Sequence, residues 1–458
     1  MLKQTIVLAV ILAPIHLAPL PATYRVQAAE ARAAKGPLAD YVAKADDSYK
    51  WTKRASGKLG EGDYAEITLT SQTWKNIVWK HQLFVYKPAS VATAKQALLW
   101  IEGGRWKDEL EAPTTDAEPS SRARLLAMVG DRLQSPVALL LHVPQQPIFD
   151  GMVEDEIISH TFAQFLLTGD SEWPLLLPMV KSAVRAMDAV QEFSGQEWKL
   201  NIEHFTMTGA SKRGWTTWLT SAVDPRVTAL APMVIDMLNM VPQMKHQVES
   251  FGTYSEQIED YTSKGLQNFL DTPRGKLLAA IVDPFNYRQH LSQPKLIILA
   301  TNDRYWPLDA LNLYWEQLSG EKYILYVPNN GHGIKDIPRV VGGLSALHQH
   351  VANGKKLPKL DWKFVEENGK LRLRLASDTR PDRVQVWTAN SDTRDFRESQ
   401  FTSHSMTAEG DAHLYELAVP ESGYAALLAE AVFNGQPVPF HLSTNVRIVG
   451  KKVGATPK

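Results

Sequence analysis

Residues Thr208-Gly209-Ala210-Ser211-Lys212-Arg213-Gly214 are where residue type and spacing point most directly to chemistry. An apolar run (FTMT) leads into a glycine, a small residue and a serine, and a helix-compatible stretch, Trp215–Ala222, follows. That strand–turn–helix context is one in which a nucleophilic serine is held on a strained turn. Small neighbours let the turn tighten, and amides at the start of the next helix point at a developing oxyanion. The commonest elbow is G-x-S-x-G. Here the second glycine, Gly214, comes one residue late, and Arg213 stands in its usual place. Taken alone, Ser211 also suits a plain helix N-cap.

Two further runs supply partners for such a serine. Leu296–Ala300 (LIILA) reads as a buried strand ending in Thr301-Asn302-Asp303, and Tyr323–Val327 leads into Asn329-Asn330-Gly331-His332-Gly333. Serine, acid and histidine in that chain order, each after its own strand, is the order of an α/β-hydrolase triad. Asp309 sits on the same loop as Asp303 and is the alternative acid, but Asp303 is nearer the strand end. Ile101-Glu102-Gly103-Gly104 ends another strand in paired glycines, whose N–H groups can approach an oxyanion with no side chain in the way. In this reading Ser211 attacks a carbonyl and His332 serves as general base and then acid, while Asp303 orients the imidazole. The oxyanion is held by the Lys212 amide and an amide from Gly103 or Gly104.

Other polar residues fit two roles each. Glu154, Asp155 and Glu156 open a helical pattern, where acids are favoured by the helix dipole, but they follow a strand and could anchor a substrate amine. Lys212 and Arg213 suit either an anionic substrate or ion pairing with the scaffold. Asp236 ends a strand near the elbow and either buttresses it or faces the pocket. Trp306, like Trp106, lies beside a proposed catalytic loop and is a candidate substrate contact. His348 and His350 have no carboxylate at metal-ligand spacing, so no metal site is expected.

The elements that must position these residues form an alternating pattern. Tyr64–Trp74 and Ile77–Tyr86 alternate apolar and polar residues and read as paired strands. Ala97–Ile101, Val137–Val143, Phe205–Thr208, Val227–Ile235 and the two runs above are short and nearly continuously apolar, as strands buried on both faces are. Helical patterns lie between them, clearest at Ile157–Leu167 and at Leu175–Phe193, where Met179, Ala183, Ala186, Met187 and Val190 share a face. The expectation is an α/β, doubly wound, mostly parallel sheet spanning residues 36–352. Residues 237–290 form a long insertion between strands, a candidate lid or substrate wall. From about Leu360 the pattern becomes alternating strands separated by Gly, Pro, Asp and Asn turns, which predicts a small β-sandwich over 360–450.

Composition narrows the chemistry. The chain has 458 residues, no cysteine, and 49 basic against 50 acidic side chains, a formal charge of -1. That excludes thiol nucleophiles and metal-thiolate sites, and it removes the electrostatic footprint of a nucleic-acid binder. Residues 1–28 read as a signal peptide: Lys3, then the apolar run Ile6–Leu12, then small residues at Val26-Gln27-Ala28. The run is too short to span a membrane, so a periplasmic or secreted protein is expected.

Several motifs together resemble a known family. Gly209–Trp215 (GASKRGW), Val234–Asn239 (VIDMLN), Pro328–Gly333 (PNNGHG), Glu172–Pro178 (EWPLLLP) and Thr393–Arg397 (TRDFR) are similar to the PhoPQ-activated pathogenicity-related protein family, which includes autocrine proliferation repressor-like proteins. The resemblance extends over nearly all of the mature chain. It implies an α/β-hydrolase domain followed by a fibronectin- or immunoglobulin-like domain, and supports Ser211, Asp303 and His332 as a triad. Three functions follow. One is an exported serine hydrolase acting without a cofactor on a small-molecule or carbohydrate ester or an amide; the second is a prolyl-oligopeptidase-like aminopeptidase acting on peptides. The third is a binding protein on a hydrolase fold.

Overall fold

The computed structural model describes residues 34–91, 94–113, 118–435 and 438–451. The proposed signal peptide lies outside these residues. The strands of the first part are β1 (Lys50–Leu59), β2 (Gly62–Trp74), β3 (Ile77–Lys87), β4 (Gln96–Ile101), β5 (Val137–Leu140), β6 (His204–Ala210), β7 (Val227–Met233), β8 (Lys295–Ala300) and β9 (Lys322–Val327). They form one nine-stranded sheet in the order β1-β2-β3-β5-β4-β6-β7-β8-β9. Pairing is antiparallel from β1 to β5 and parallel from β5 to β9.

Both faces of the parallel part of the sheet are covered, because its strands send apolar residues to both sides. In β8, Ile297 and Leu299 belong to one core, while Leu296, Ile298 and Ala300 belong to the other. Helices α1 (Pro37–Ala43), α2 (Ser121–Leu133), α3 (Glu154–Thr168), α4 (Leu176–Trp198), α5 (Lys212–Val223), α6 (Met240–Phe251), α7 (Pro273–Val282) and α8 (Ile337–Asn353) connect the strands. The face packed by α4 takes in Met179, Ala183, Ala186, Met187 and Val190; the opposite face is packed by α2 and α8. The 237–290 insertion consists of α6, α7 and single helical turns between and after them.

β1 has no counterpart in the sequence reading. Its residues KWTKRASGKL are mostly exposed, so this edge strand shows no apolar alternation; it is held by pairing to β2 and by Trp51, which packs edge-on against Phe193 of α4.

The C-terminal part contains β10 (Leu360–Glu367), β11 (Lys370–Ser377), β12 (Arg383–Ser391), β13 (Thr402–Ser405), β14 (Thr407–Glu409), β15 (Ala412–Ala418), β16 (Gly423–Phe433), β17 (Phe440–Ser443) and β18 (Arg447–Lys451). They make two antiparallel sheets, β10-β11-β15-β14 and β13-β12-β16-β17, with β18 also on β16. Leu371, Leu373 and Leu375 of one sheet pack on Val386, Leu427 and Ala429 of the other, which makes a β-sandwich. This module is not a loose appendage. Phe396 and Phe401, on the loop after β12, are each 1% exposed and join the core of the first part.

Candidate functional site

The carboxyl ends of β4, β6, β7, β8 and β9 lie side by side, held by register pairs such as Ile101 with Gly209, Ala210 with Met233 and Ala300 with Val327. Loops leaving those ends converge, as ligand sites in open α/β sheets do.

Ser211 is the residue at which β6 turns into α5. Its backbone is at φ 58, ψ -125, a region that costs a non-glycine residue about 1–3 kcal/mol and persists only where the surroundings impose it. They do so here: the Ser211 amide donates to Met233 O at 2.9 Å, and Trp215 N donates to Ser211 O at 2.9 Å. The late glycine has a physical reason. A Cβ on Gly214 would stand 2.9 Å from the carbonyl oxygens of both Gly209 and Met233 and 2.8 Å from Ile235 Cγ2. Gly214 therefore lets α5 press against β6 and β7, the task a glycine serves in a tight strand-to-helix turn.

The strain aims the hydroxyl at His332. Ser211 Oγ is 2.8 Å from His332 Nε2, and His332 Nδ1 is 2.9 Å from Asp303 Oδ2 and 3.1 Å from Oδ1. A carboxylate at Nδ1 keeps the proton there, so Nε2 accepts from the serine hydroxyl. Asp303 is itself oriented by the Tyr305 amide, which donates to its Oδ1 at 2.9 Å. The Tyr305 ring lies over the imidazole with centroids 4.1 Å apart. Asp309, the alternative acid, is elsewhere: it receives His246 Nε2 at 2.6 Å and Arg394 Nη2 at 2.7 Å.

Lys212 and Arg213 are both buried, and each has an acid. Arg213 grips Glu154 with two parallel bonds, Nη1 to Oε2 at 2.8 Å and Nη2 to Oε1 at 2.6 Å, and donates from Nε to Val143 O at 2.5 Å. Burial alone would raise the Glu154 carboxyl. Arg213 and the nearby Lys212 outweigh it and bring the pKa down to about 2. Lys212 Nζ is 2.7 Å from Asp155 Oδ2, and Tyr261 OH donates to Asp155 Oδ1 at 2.8 Å. Glu154 and Asp155 are thus both ion-paired to the two residues after Ser211, with Asp155 at the cavity wall.

Gly103 and Gly104 follow β4 beside the elbow. A Cβ on Gly103 would fall 2.2 Å from Arg213 Nη2, so this glycine makes room for the guanidinium that replaces the usual elbow glycine. Gly104 sits at φ 127 over His142, and Gln146 Nε2 donates to its carbonyl at 2.9 Å. His142 is buried, and burial lowers its pKa to about 4, which keeps it neutral near pH 7.

Asp236 is not a pocket residue. It is buried and receives Tyr314 OH at 2.7 Å, and burial raises its carboxyl to about 7, with Asp303 and Asp309 adding to the effect. Trp306 does line the cavity beside Ser211, together with Asp155, Lys212, Tyr305 and His332. His348 bridges Thr206 Oγ1 and Ser135 Oγ inside the core, and His350 pairs with Glu321. Among the described residues no group of three or more His, Asp or Glu side chains is placed to hold a metal ion. No described helix is long and apolar enough to cross a membrane.

Sequence reasoning did not find the contacts that hold the acid and histidine loops from outside. Asn302 Nδ2 donates to the carbonyls of Phe396, Arg397 and Ser399 at 3.2, 3.2 and 2.7 Å. Asn329 pairs with both backbone groups of Phe401, donating to O at 2.9 Å and accepting from N at 2.7 Å. Only the positions of Asn302 and Asn329, within the two loops already singled out, could have hinted at this; their partners lie far along the chain.

Comparison with known proteins agrees with the motifs. The model of the PhoPQ-activated pathogenicity-related protein family matches residues 38–397, ending inside the β-sandwich just after Phe396. Autocrine proliferation repressor protein A of Dictyostelium discoideum is 35% identical over 387 residues, covering 79% of this chain and 76% of that protein. Among solved structures, an acetyl xylan esterase from Paenibacillus sp. R4 overlays with a TM-score of 0.44 at 11% identity, covering 69% of this chain and 90% of that one. A glucuronoyl esterase from Solibacter usitatus overlays with a TM-score of 0.41 at 14% identity, covering 68% and 91%. Both overlays are too loose to carry an argument about chemistry; the α/β-hydrolase fold follows from the strand order and the elbow above. On the extent of the sequence match, the chain belongs to the PhoPQ-activated pathogenicity-related protein family.

Proposed function

We propose that this protein is a serine hydrolase that cleaves a carboxylic ester or amide through an acyl-enzyme. The observation that carries the reading is the continuous hydrogen-bonded path from Ser211 Oγ through His332 to Asp303, launched from a strained elbow. Ser211 Oγ attacks the substrate carbonyl while His332 Nε2 takes its proton, and the carbonyl π bond becomes an oxyanion lone pair. Amides of Lys212 and of Gly103 or Gly104 hold that oxyanion. Collapse breaks the bond to the leaving group, which takes the proton from His332. Water then attacks the acyl-enzyme with His332 again as base, releasing the acid and restoring Ser211. Asp303 holds the proton-bearing Nδ1 and stabilises the imidazolium throughout.

The ion pairs of Glu154 and Asp155 with Arg213 and Lys212 weigh against the aminopeptidase reading, which needs an acid free for a substrate amine. An ester is the favoured substrate. We also propose that residues 1–28 direct export, which fractionation of cells making the full and the shortened chain tests. Labelling with a fluorophosphonate tests the hydrolase reading: wild type should be modified at Ser211 and the Ser211→Ala variant should not. Folded wild-type protein that stays unlabelled would favour the binding-protein alternative instead.

A further inference from the structure

A cavity of about 110 Å³ opens directly beside Ser211 and His332 and runs beneath the 237–290 insertion. The chemistry of what such a cavity accepts is read from its wall. Here the wall is hydrocarbon and thioether: Met240 and Met244 from α6, Leu266 and Leu270 from the turns that follow, Leu278 and Val282 from α7. Trp215 closes the elbow side, with its indole N–H already donated to Val282 O at 2.5 Å. The polar side chains at the rim are engaged as well. Asp155 is held by Lys212 and Tyr261, and Thr262 Oγ1 donates to Ile258 O at 3.3 Å. Gln267 Oε1 is the one buried polar atom of this wall left without a partner among the described residues.

A sugar ring would bring hydroxyls into this space and leave nearly all of them without partners, each costing about 1–3 kcal/mol. A hydrocarbon chain or ring would leave nothing unpaired and gain the transfer energy of every methylene buried. Met240 and Met244 add side chains that adapt to the shape of such a group.

We infer that the cavity under the insertion binds a hydrophobic arm of the substrate, so that the hydrolase acts on esters of aliphatic or arylalkyl groups rather than on sugar hydroxyls or acetyl groups alone. The inference rests on the serine-hydrolase reading and specifies its substrate class. The arm belongs either to the acyl group or to the leaving alcohol, and the two are separated by experiment.

The test is a set of two ester series on the full-length protein. One varies the acyl group of a nitrophenyl ester from acetate through butyrate and hexanoate to octanoate. The other varies the alcohol of an acetate ester over the same lengths. In one series kcat/KM should climb about fourfold per methylene, the factor equivalent to the ~0.8 kcal/mol of a buried CH2, until the cavity is full. The Met244→Trp variant fills the cavity from α6 and should lower, in whichever series climbs, the ratio of kcat/KM for the longest to the shortest ester at least tenfold; Leu278→Trp, from α7, is the second variant should the first misfold. Calorimetry of N-octylacetamide with Ser211→Ala protein reads the cavity without turnover. It should show binding with a negative heat-capacity change that acetamide lacks. Equal kcat/KM along both series, with Ser211 labelled by fluorophosphonate, would overturn the inference and leave the hydrolase reading standing. Binding of the octyl amide by a protein that is never labelled would do the reverse.

Discussion

Phe396 offers the sharpest test of how the β-sandwich relates to the reactive loops. Its ring is 1% exposed and sits in the core of the α/β part, although it belongs to a loop of the sandwich. Replacing a buried phenylalanine with alanine removes its transfer energy and leaves a cavity, together about 3–5 kcal/mol. The backbone carbonyls of Phe396, Arg397 and Ser399 are also the acceptors that fix the Asn302 side chain, the residue before Asp303. Phe396→Ala should therefore lower stability by about 3–5 kcal/mol, measured by guanidinium unfolding followed through tryptophan fluorescence. It should also slow fluorophosphonate labelling of the folded variant by on the order of 10²-fold, the cost of displacing a catalytic group by about an ångström. Asn302→Ala, which leaves the ring in place, should slow labelling with a smaller stability loss of about 1–3 kcal/mol. If Phe396→Ala loses less than about 1 kcal/mol, or is labelled at the wild-type rate while folded, then the sandwich is a passenger and the reasoning fails.

Three further outcomes are expected. Asp303→Asn should reduce turnover of any ester substrate by roughly 10⁴-fold, because Nδ1 loses the carboxylate that fixes the imidazole tautomer; a loss below tenfold in steady-state kinetics would point to another acid. Asp236 has its carboxyl raised from 3.8 to about 7 by burial, so its contribution is fully present below about pH 4 and is lost as pH rises through 7. Asp236→Asn, whose amide oxygen can still accept from Tyr314, should match wild type in thermal unfolding near pH 4 and be more stable at about pH 8, by roughly 3–4 kcal/mol; equal stability at both pH values would show that the burial is not felt. Gly214→Ala puts a Cβ 2.9 Å from two backbone carbonyl oxygens and should destabilise the fold by about 1–3 kcal/mol in denaturant titration, whereas an unchanged midpoint would mean the elbow can open.

Much of the framework was legible because short apolar runs mark strands buried on both faces, and the three residues of the proposed triad each follow such a run. Those positions singled out Ser211, His332 and Asp303, with Asp309 kept as the alternative acid, and the sheet brings the first three into hydrogen-bonding distance. Pairwise partners were not legible. Glu154 lies 59 residues from Arg213, and nothing local in either segment distinguishes a counter-ion from a substrate anchor. Asp236 had the same ambiguity until Tyr314, 78 residues on, showed which way it faces. The strand β1 was invisible because an exposed edge strand needs no apolar alternation.

The Arg213–Glu154 fork has a consequence for how this elbow can change by mutation. Glycine at position 213, the commoner elbow, would take the forked partner from the half-buried Glu154 carboxylate and leave it only Gln146 and the longer 3.5 Å contact to Lys212, while removing Glu154 first would leave a buried guanidinium without its acid. Either single step costs about 3 kcal/mol, the lower end for a broken buried pair because Glu154 is partly open to water. Gly103 is tied to the same choice, since a Cβ there would fall on the Arg213 guanidinium, and that clash goes when Arg213 does. Positions 103, 154 and 213 thus form a locked set: a path from this elbow to the commoner one crosses a destabilised valley, and a library that varies the three together should recover folded combinations that no single substitution reaches.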